Sequence, residues 1–232
     1  MIKIEDTEVM GMRKAIKGMR NALNSWDKSD SGFFQCGCPD VGTIYCGEHG
    51  SQCLIRDCKT CPMRSYDIGE KDMELAKRLI KAGSSDRKFM RMIHVQADVT
   101  APLYWWKQAD QYRIGVTTNS TSTMHKIHDK EFTLNDFSHE HLMEGGIECI
   151  KHLCNDLNLC RDNYLKTKSK DWWWQMIQLL PSSFNQMRTI DLDYETLFSI
   201  YHQRKNHKLN EWVDFCEWIK TLPYMEEFIN AV

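Results

Sequence analysis

Arg113 stands just ahead of a run of polar side chains: Thr117, Thr118, Asn119, Ser120, Thr121, Ser122 and Thr123. A segment this rich in hydroxyls needs hydrogen-bond partners, from its own backbone or from a ligand. Beside a guanidinium, its hydroxyls and backbone N–H groups could cradle a phosphate or the edge of a nucleobase. The plainer alternative is a polar surface turn.

A second candidate for chemistry lies upstream. Six of the ten cysteines (Cys36, Cys38, Cys46, Cys53, Cys58 and Cys61) fall close together, with His49 among them. Cys58-Lys-Thr-Cys61 has the knuckle spacing with which two thiolates grip one zinc ion, and Cys36 and Cys38 could supply two more ligands. An iron–sulfur cluster is a second reading. Reduced thiols packed beneath a loop are the third. Cys149, Cys154, Cys160 and Cys216 sit in helix-like patterns, where they read as small buried hydrophobes. Trp105-Trp106 and Trp172-Trp173-Trp174 read as core or interface packing. His125, His128, His139, His141 and His152 are too loosely spaced to define a metal site and read as exposed helical residues.

The elements that must position these groups follow from periodicity. Val9, Met10, Met12, Ile16, Met19 and Leu23 recur at helical steps, predicting a helix over 5–24. Residues 32–66 show no helical or strand period and read as a Cys-rich loop excursion. A helix is expected over 70–82, closed by Gly83-Ser84-Ser85. From Ile93 to Val99 apolar and polar residues alternate, predicting a strand over 88–99. Ala101-Pro102 opens a helix through Gln111, since Pro suits a first helical turn. The 113–125 segment shows no period. Helices are expected over 139–160, 170–179, 193–203 and 207–220. The reading is α+β: a single domain over 1–232, helices packed on a small sheet, with 32–66 as an insertion.

Composition bounds the function. The 232 residues carry a formal net charge of -2, with 42% hydrophobic and 27% charged residues. That balance fits a soluble domain and argues against a partner that is a nucleic acid polymer. No apolar run is long enough to span a membrane. The first residues carry acids where a signal peptide needs basic and apolar ones, so a cytoplasmic location is expected.

The order of the polar segment resembles a known motif. Flavin-dependent thymidylate synthases carry R-H-R-x-x-S-x-N-E-x-S-x-R-Y. With Asn119 on the motif Asn, Thr117 falls on the first Ser, Ser120 on the Glu and Ser122 on the second Ser. Allowing one inserted residue, Gln111-Tyr112-Arg113 lies on R-H-R. Leu180-Pro181 is followed, twelve residues after the Pro, by Asp193-Tyr194-Glu195-Thr196-Leu197, where the family has N-x-R-x-L, and then by Arg204. The resemblance covers roughly residues 70–215. It implies methylation of dUMP at carbon 5 by a homotetramer with sites shared between subunits, FAD as cofactor, and NADPH and methylenetetrahydrofolate as co-substrates. It implies Arg204 and Ser122 as catalytic residues, with His207 beside them on the nucleotide. Arg113, Asn119, Tyr112, Ser120 and Thr117 would line the flavin. An Arg stays protonated and can bond the ring oxygens of a pyrimidine. The alternative for Arg204 is a surface pairing with Glu195 or Glu211. The cofactor-free route uses a Pro-Cys nucleophile, and the chain has Cys38-Pro39 and Cys61-Pro62 but no Pro-Cys.

The departures are specific. Two family arginines that hold the phosphate correspond to Met124 and Ile177, and the flavin-holding N-x-R pair becomes Asp193 and Glu195. The family's H-x-S-x-x-E-H is absent after Gly83. Two alternatives therefore stand beside the enzyme: a relative binding flavin or another pyrimidine nucleotide without this activity, and a metal-knuckle interaction protein.

Overall fold

The alternation from Ile93 onward sets the centre of the molecule. The computed structural model describes residues 1–34, 45–46, 51–52 and 65–232. Its strands are β1 (Lys3–Met10), β2 (Gly32–Phe34), β3 (Tyr45–Cys46), β4 (Ser51–Gln52), β5 (Ser65–Asp67), β6 (His94–Pro102), β7 (Val116–Ser120) and β8 (Asn185–Asp193). An antiparallel four-stranded sheet runs in the order β1-β6-β8-β7. Val95, Ala97, Val99 and Ala101 of β6 and Ile190 and Leu192 of β8 are buried on one face. Burying a side chain such as Val or Ile contributes about 1.5–3 kcal/mol.

That face is covered by helices. They are α1 (Met12–Met19), α2 (Glu70–Ala82), α3 (Leu103–Ala109), α7 (Tyr194–Arg204), α8 (Asn210–Thr221) and α9 (Met225–Ile229), which share one hydrophobic core with the sheet. The short α4 (Thr123–Lys126) and the pair α5 (Glu144–Thr167) and α6 (Lys170–Leu179) border a smaller core. It contains Ile127, Phe132, Phe137, Leu157 and Met176. Trp105 and Trp106 belong to the main core, Trp172 and Trp173 pack against the smaller one, and Trp174 is half exposed. Among the described residues, no helix is long and apolar enough to cross a membrane.

Four expectations are corrected. Residues 3–10 form a strand, because Ile4 and Val9 pair with Val99 and Val95 of β6 and point into the core. Gly11 separates that strand from α1. Its φ is +88°, and a Cβ built there would lie 2.1 Å from the Met92 carbonyl oxygen, so no other residue fits without displacement. Residues 88–92 are a 3-10 turn, and the strand runs instead to Pro102. The 113–125 segment contains strand β7, whose Val116, Thr117 and Thr118 are β-branched and pair with β8. Cys149 is exposed, whereas Cys154, Cys160 and Cys216 are buried as expected.

The Cys-rich excursion is closed at its base. β2 pairs with β5, and β3 with β4. Asp72 on α2 is fully buried and accepts from Arg20, from the Ser29 hydroxyl (2.6 Å), and from both the hydroxyl (2.6 Å) and backbone N–H (3.2 Å) of Ser31. Burial pushes the Asp72 carboxyl upward. The hydrogen bonds from Ser29, Ser31 and Arg20, with the Arg20 charge, outweigh it and hold the group below the usual carboxylate range. The candidate zinc ligands Cys36, Cys38, Cys58 and Cys61 lie outside the described residues.

Candidate functional site

α3 and α8 close over the β7 side of the sheet and leave a cavity of about 230 Å³. Trp105, Trp106, Trp212 and Phe215 form its walls, with Ile190 and Leu192 of β8 as its floor. Asp110, Arg113 and Thr118 also line it, and all three are exposed, so they mark its mouth. Trp106 donates its indole N–H to the Gln186 carbonyl (2.9 Å) and Trp212 donates to Gln108 (2.7 Å), which fixes both rings.

Arg204 closes α7 at the edge of this mouth. Its Nε donates to the Tyr112 hydroxyl (2.9 Å), which in turn donates to Gln203 Oε1 (2.9 Å). The guanidinium lies 5.2 Å from the centre of the Trp212 ring and 5.7 Å from that of Tyr112. The two carboxylates considered as its surface partners, Glu195 and Glu211, are occupied elsewhere. Glu195 pairs with Arg87 (2.7 Å), and Glu211 accepts from the Tyr104 hydroxyl. Among the described residues neither Arg204 nor Arg113 forms an ion pair, so both retain N–H groups for an anion or a ring oxygen. Arg188 is differently placed. It bonds Asp110 (2.7 Å) and stacks 4.2 Å from the centre of Trp106. His207 accepts from the Leu209 backbone N–H (3.1 Å), and burial, then the charges of Arg204 and Lys208, lower its pKa.

The remaining predicted residues lie elsewhere. Strand alternation places Thr118 on the cavity side and Thr117 and Asn119 on the opposite face, opposite Asp191 and Thr189. That face is uncovered by helices and rich in acids. Asp191 accepts from Gln96 (3.1 Å) and bonds His94 Nδ1 (2.9 Å), and Asp98 accepts from Thr189 (2.6 Å). Glu5 and Glu8 are aligned with Asp98 and Gln96. Ser120 ends β7. Ser122 caps α4 by accepting from the His125 N–H (3.0 Å) and lines a second cleft of about 460 Å³ with Thr100, Lys126, Lys130 and Met187. Arg113 and Ser122 therefore flank β7 at its two ends, and the strand's five residues rise about 13 Å.

The substituted positions differ. The Met124 side chain is exposed, and only its backbone carbonyl accepts from Trp173 (2.9 Å), whereas Ile177 packs against the smaller core. Asp193 caps α7 by accepting from the Thr196 N–H (2.7 Å). Trp212, Phe215, Ile190 and Leu192 were not singled out by the sequence reading as site residues, and Thr118 entered it only as one member of the polar run. Trp212 and Phe215 share one face of α8 at a three-residue step, a signal that marks core as readily as a cavity wall. Among the described residues, no group of three or more His, Cys, Asp or Glu side chains is placed to hold a metal ion.

This arrangement of helices on one face of a four-stranded antiparallel sheet is a known α+β fold. The crystal structure of flavin-dependent thymidylate synthase ThyX from Helicobacter pylori complexed with FAD and dUMP matches it with a TM-score of 0.63 over 99% of each chain, at 14% identity. A second structure of Thymidylate Synthase X from Helicobacter pylori with FAD and dUMP matches at a TM-score of 0.63 and 13% identity, covering 99% of this chain and 97% of that one. The chain thus has a single-domain, ThyX-like fold. No protein-family model matches it, and no curated protein matches it in sequence.

Proposed function

We propose that this chain binds FAD and a pyrimidine nucleotide at the mouth bounded by Tyr112, Arg113 and Arg204, and methylates carbon 5 of the uracil in dUMP. Methylenetetrahydrofolate would give the carbon. Reduced FAD, recharged by NADPH, would supply the hydride. The observation that supports this most is Arg204: a guanidinium held by Tyr112 and Trp212, with no ion-pair partner among the described residues. Positive charge fixed there stabilises a pyrimidine as electron density builds on its ring oxygens. Arg113 and Tyr112 suit the flavin, since a free guanidinium and a phenol match its phosphates and ring edge. Ser120, on the covered face of β7, would add a neutral contact, and Thr117 and Asn119, on the other face, would add theirs to a flavin held by a neighbouring subunit. Ser122, which keeps its O–H to donate, and His207 would complete the nucleotide site.

Ser122 and Arg204 are set apart within one copy, so this reading draws them from different subunits of a homotetramer. The Cys-rich insertion would be a structural appendage of a single cytoplasmic domain over 1–232, with zinc at its cysteines as one reading. A second reading has specific support. Met124 and Ile177 replace the phosphate-holding arginines, and Glu195 is committed to Arg87. That pattern suits a pyrimidine nucleotide other than dUMP, recognised without the usual phosphate clamp. The test is to purify the chain with FAD, supply methylenetetrahydrofolate and NADPH, and measure tritium release from C5-labelled dUMP. Release supports the first reading. A yellow protein inert toward dUMP supports the second. A chain that takes up no FAD rules out the first.

A further inference from the structure

The end of the molecule built from α1 and the turns around it has no part in the function proposed above. Ala15, Ile16 and Met19 of α1 are buried against the core, which leaves Arg13, Lys14 and Lys17 exposed. Two 3-10 turns follow, Asn21–Leu23 and Trp26–Lys28, and the turn Lys88–Met92 packs against the helix. Lys14, Lys17, Gly18, Asn21, Trp26 and Met92 line one groove of about 680 Å³ there. Two properties mark this surface. Apolar side chains protrude from it: Leu23 is 80% exposed, Met92 48% and Trp26 46%. Trp26 donates its indole N–H to Asn21 (2.8 Å), so the ring needs no further polar partner. The charge is one-sided as well. From Met12 to Ser29 five basic residues stand against one acid, Asp27, in a chain whose net charge is -2. Arg20 is spent on Asp72. Among the described residues, Arg13, Lys14, Lys17, Lys28 and Arg91 form no ion pair.

Exposed apolar side chains set together on a surface mark a place of contact, and the cations among them narrow the partner. Protein interfaces are depleted in lysine. Single-stranded nucleic acid needs a row of aromatic platforms, whereas here one indole stands with Leu23 and Met92. A membrane surface matches both properties. The hydrocarbon beneath the headgroups accepts Leu and Met side chains and the Trp ring, and anionic headgroups attract the lysines, whose stems lie along apolar surface. We propose that α1 and its flanking turns dock this chain peripherally on an anionic lipid surface. Leu23, Trp26 and Met92 enter the boundary between headgroups and acyl chains, and Lys14, Lys17 and Arg91 meet the lipid phosphates and carboxylates.

Vesicle sedimentation tests this. The purified full-length chain is spun with sucrose-loaded vesicles of phosphatidylcholine alone, or of phosphatidylcholine and phosphatidylserine in equal parts. Binding is expected to the mixed vesicles only, and should weaken as salt rises, because screening shortens the reach of the lysines. Lys14→Gln combined with Lys17→Gln should weaken it about 30-fold, the effect of two cations near an anionic surface. Leu23→Ser should weaken it about tenfold through lost apolar insertion. All three positions are exposed, so circular dichroism should stay unchanged in both variants. Absence of sedimentation with the mixed vesicles would overturn the proposal, and so would equal sedimentation with phosphatidylcholine alone. Undiminished binding by either variant would do the same. Retention of a single-stranded oligonucleotide in place of the mixed vesicles would assign the surface to nucleic acid and overturn it too.

Discussion

The two faces of the central sheet present different kinds of polar group, and that difference locates the site. On the helix-covered face, three arginines approach a wall of aromatic rings, and two of them have no carboxylate partner among the described residues. On the uncovered face, Thr117 and Asn119 stand among Asp98, Asp191, Glu5 and Glu8, and the bonds of Asp98 and Asp191 run between neighbouring strands. A pyrophosphate laid over the second face would meet like charge; at the first it would meet unpaired guanidiniums. The lesson is that a polar motif read along a strand is divided between two environments by the pleat, and only half of it can serve one ligand.

Carboxylates offer the largest contrast between buried and open positions. Asp72→Ala should cost about 3–5 kcal/mol, because it strands the buried Arg20, whereas Asp191→Ala on the open face should cost about 1 kcal/mol or less. Urea denaturation compares them. The sign of the pH dependence follows from the lowered Asp72 carboxyl. Its contribution is complete above the unfolded value of about 3.9 and is lost as pH falls through the lower folded one. Stability should therefore fall below about pH 4 in the wild type, and less steeply in Asp72→Asn.

Next in size is the loss of Arg204. Arg204→Ala should reduce turnover about 100-fold or more, the scale of removing one preorganised stabiliser of developing charge. Far-ultraviolet circular dichroism should not change. Gly115→Ala tests whether the start of β7 positions the mouth. At φ +68° a Cβ would lie 2.1 Å from Asp193 Oδ2, so the α7 cap must shift, and a loss of about 2 kcal/mol is expected in thermal unfolding. The smallest effects sharpen the comparison of faces itself. Arg113→Gln should weaken FAD binding about tenfold, and Asn119→Ala by about twofold or less. The reverse order would move the flavin to the open face.

Parts of this were legible in the residues. The Ile93–Val99 alternation gave β6 directly, and α2, α5, α6, α7 and α8 follow their apolar periods. β1 was hidden because Val9, Met10 and Met12 also satisfy a helical step, and only the pairing with β6 decides between them. β7 was masked by its hydroxyls, although its β-branched residues favour a strand. β8 was missed because Gln186 and Arg188 occupy inward positions that an alternation rule reserves for apolar residues; each is satisfied by a specific bond, Gln186 to the Thr121 carbonyl and Arg188 to Asp110. The freedom of Arg204 could not be read at all. Glu195 and Glu211 stand in the same stretch of sequence as possible partners, and only the fold shows that Arg87 and Tyr104 engage them.

Central to the account is that Arg204 receives the pyrimidine beside the flavin. Titrating dUMP into the FAD-loaded chain while recording the visible spectrum tests this most directly. A saturable change in flavin absorbance is predicted for the wild type, and none for Arg204→Ala over the same concentrations. An identical change in both proteins would contradict it.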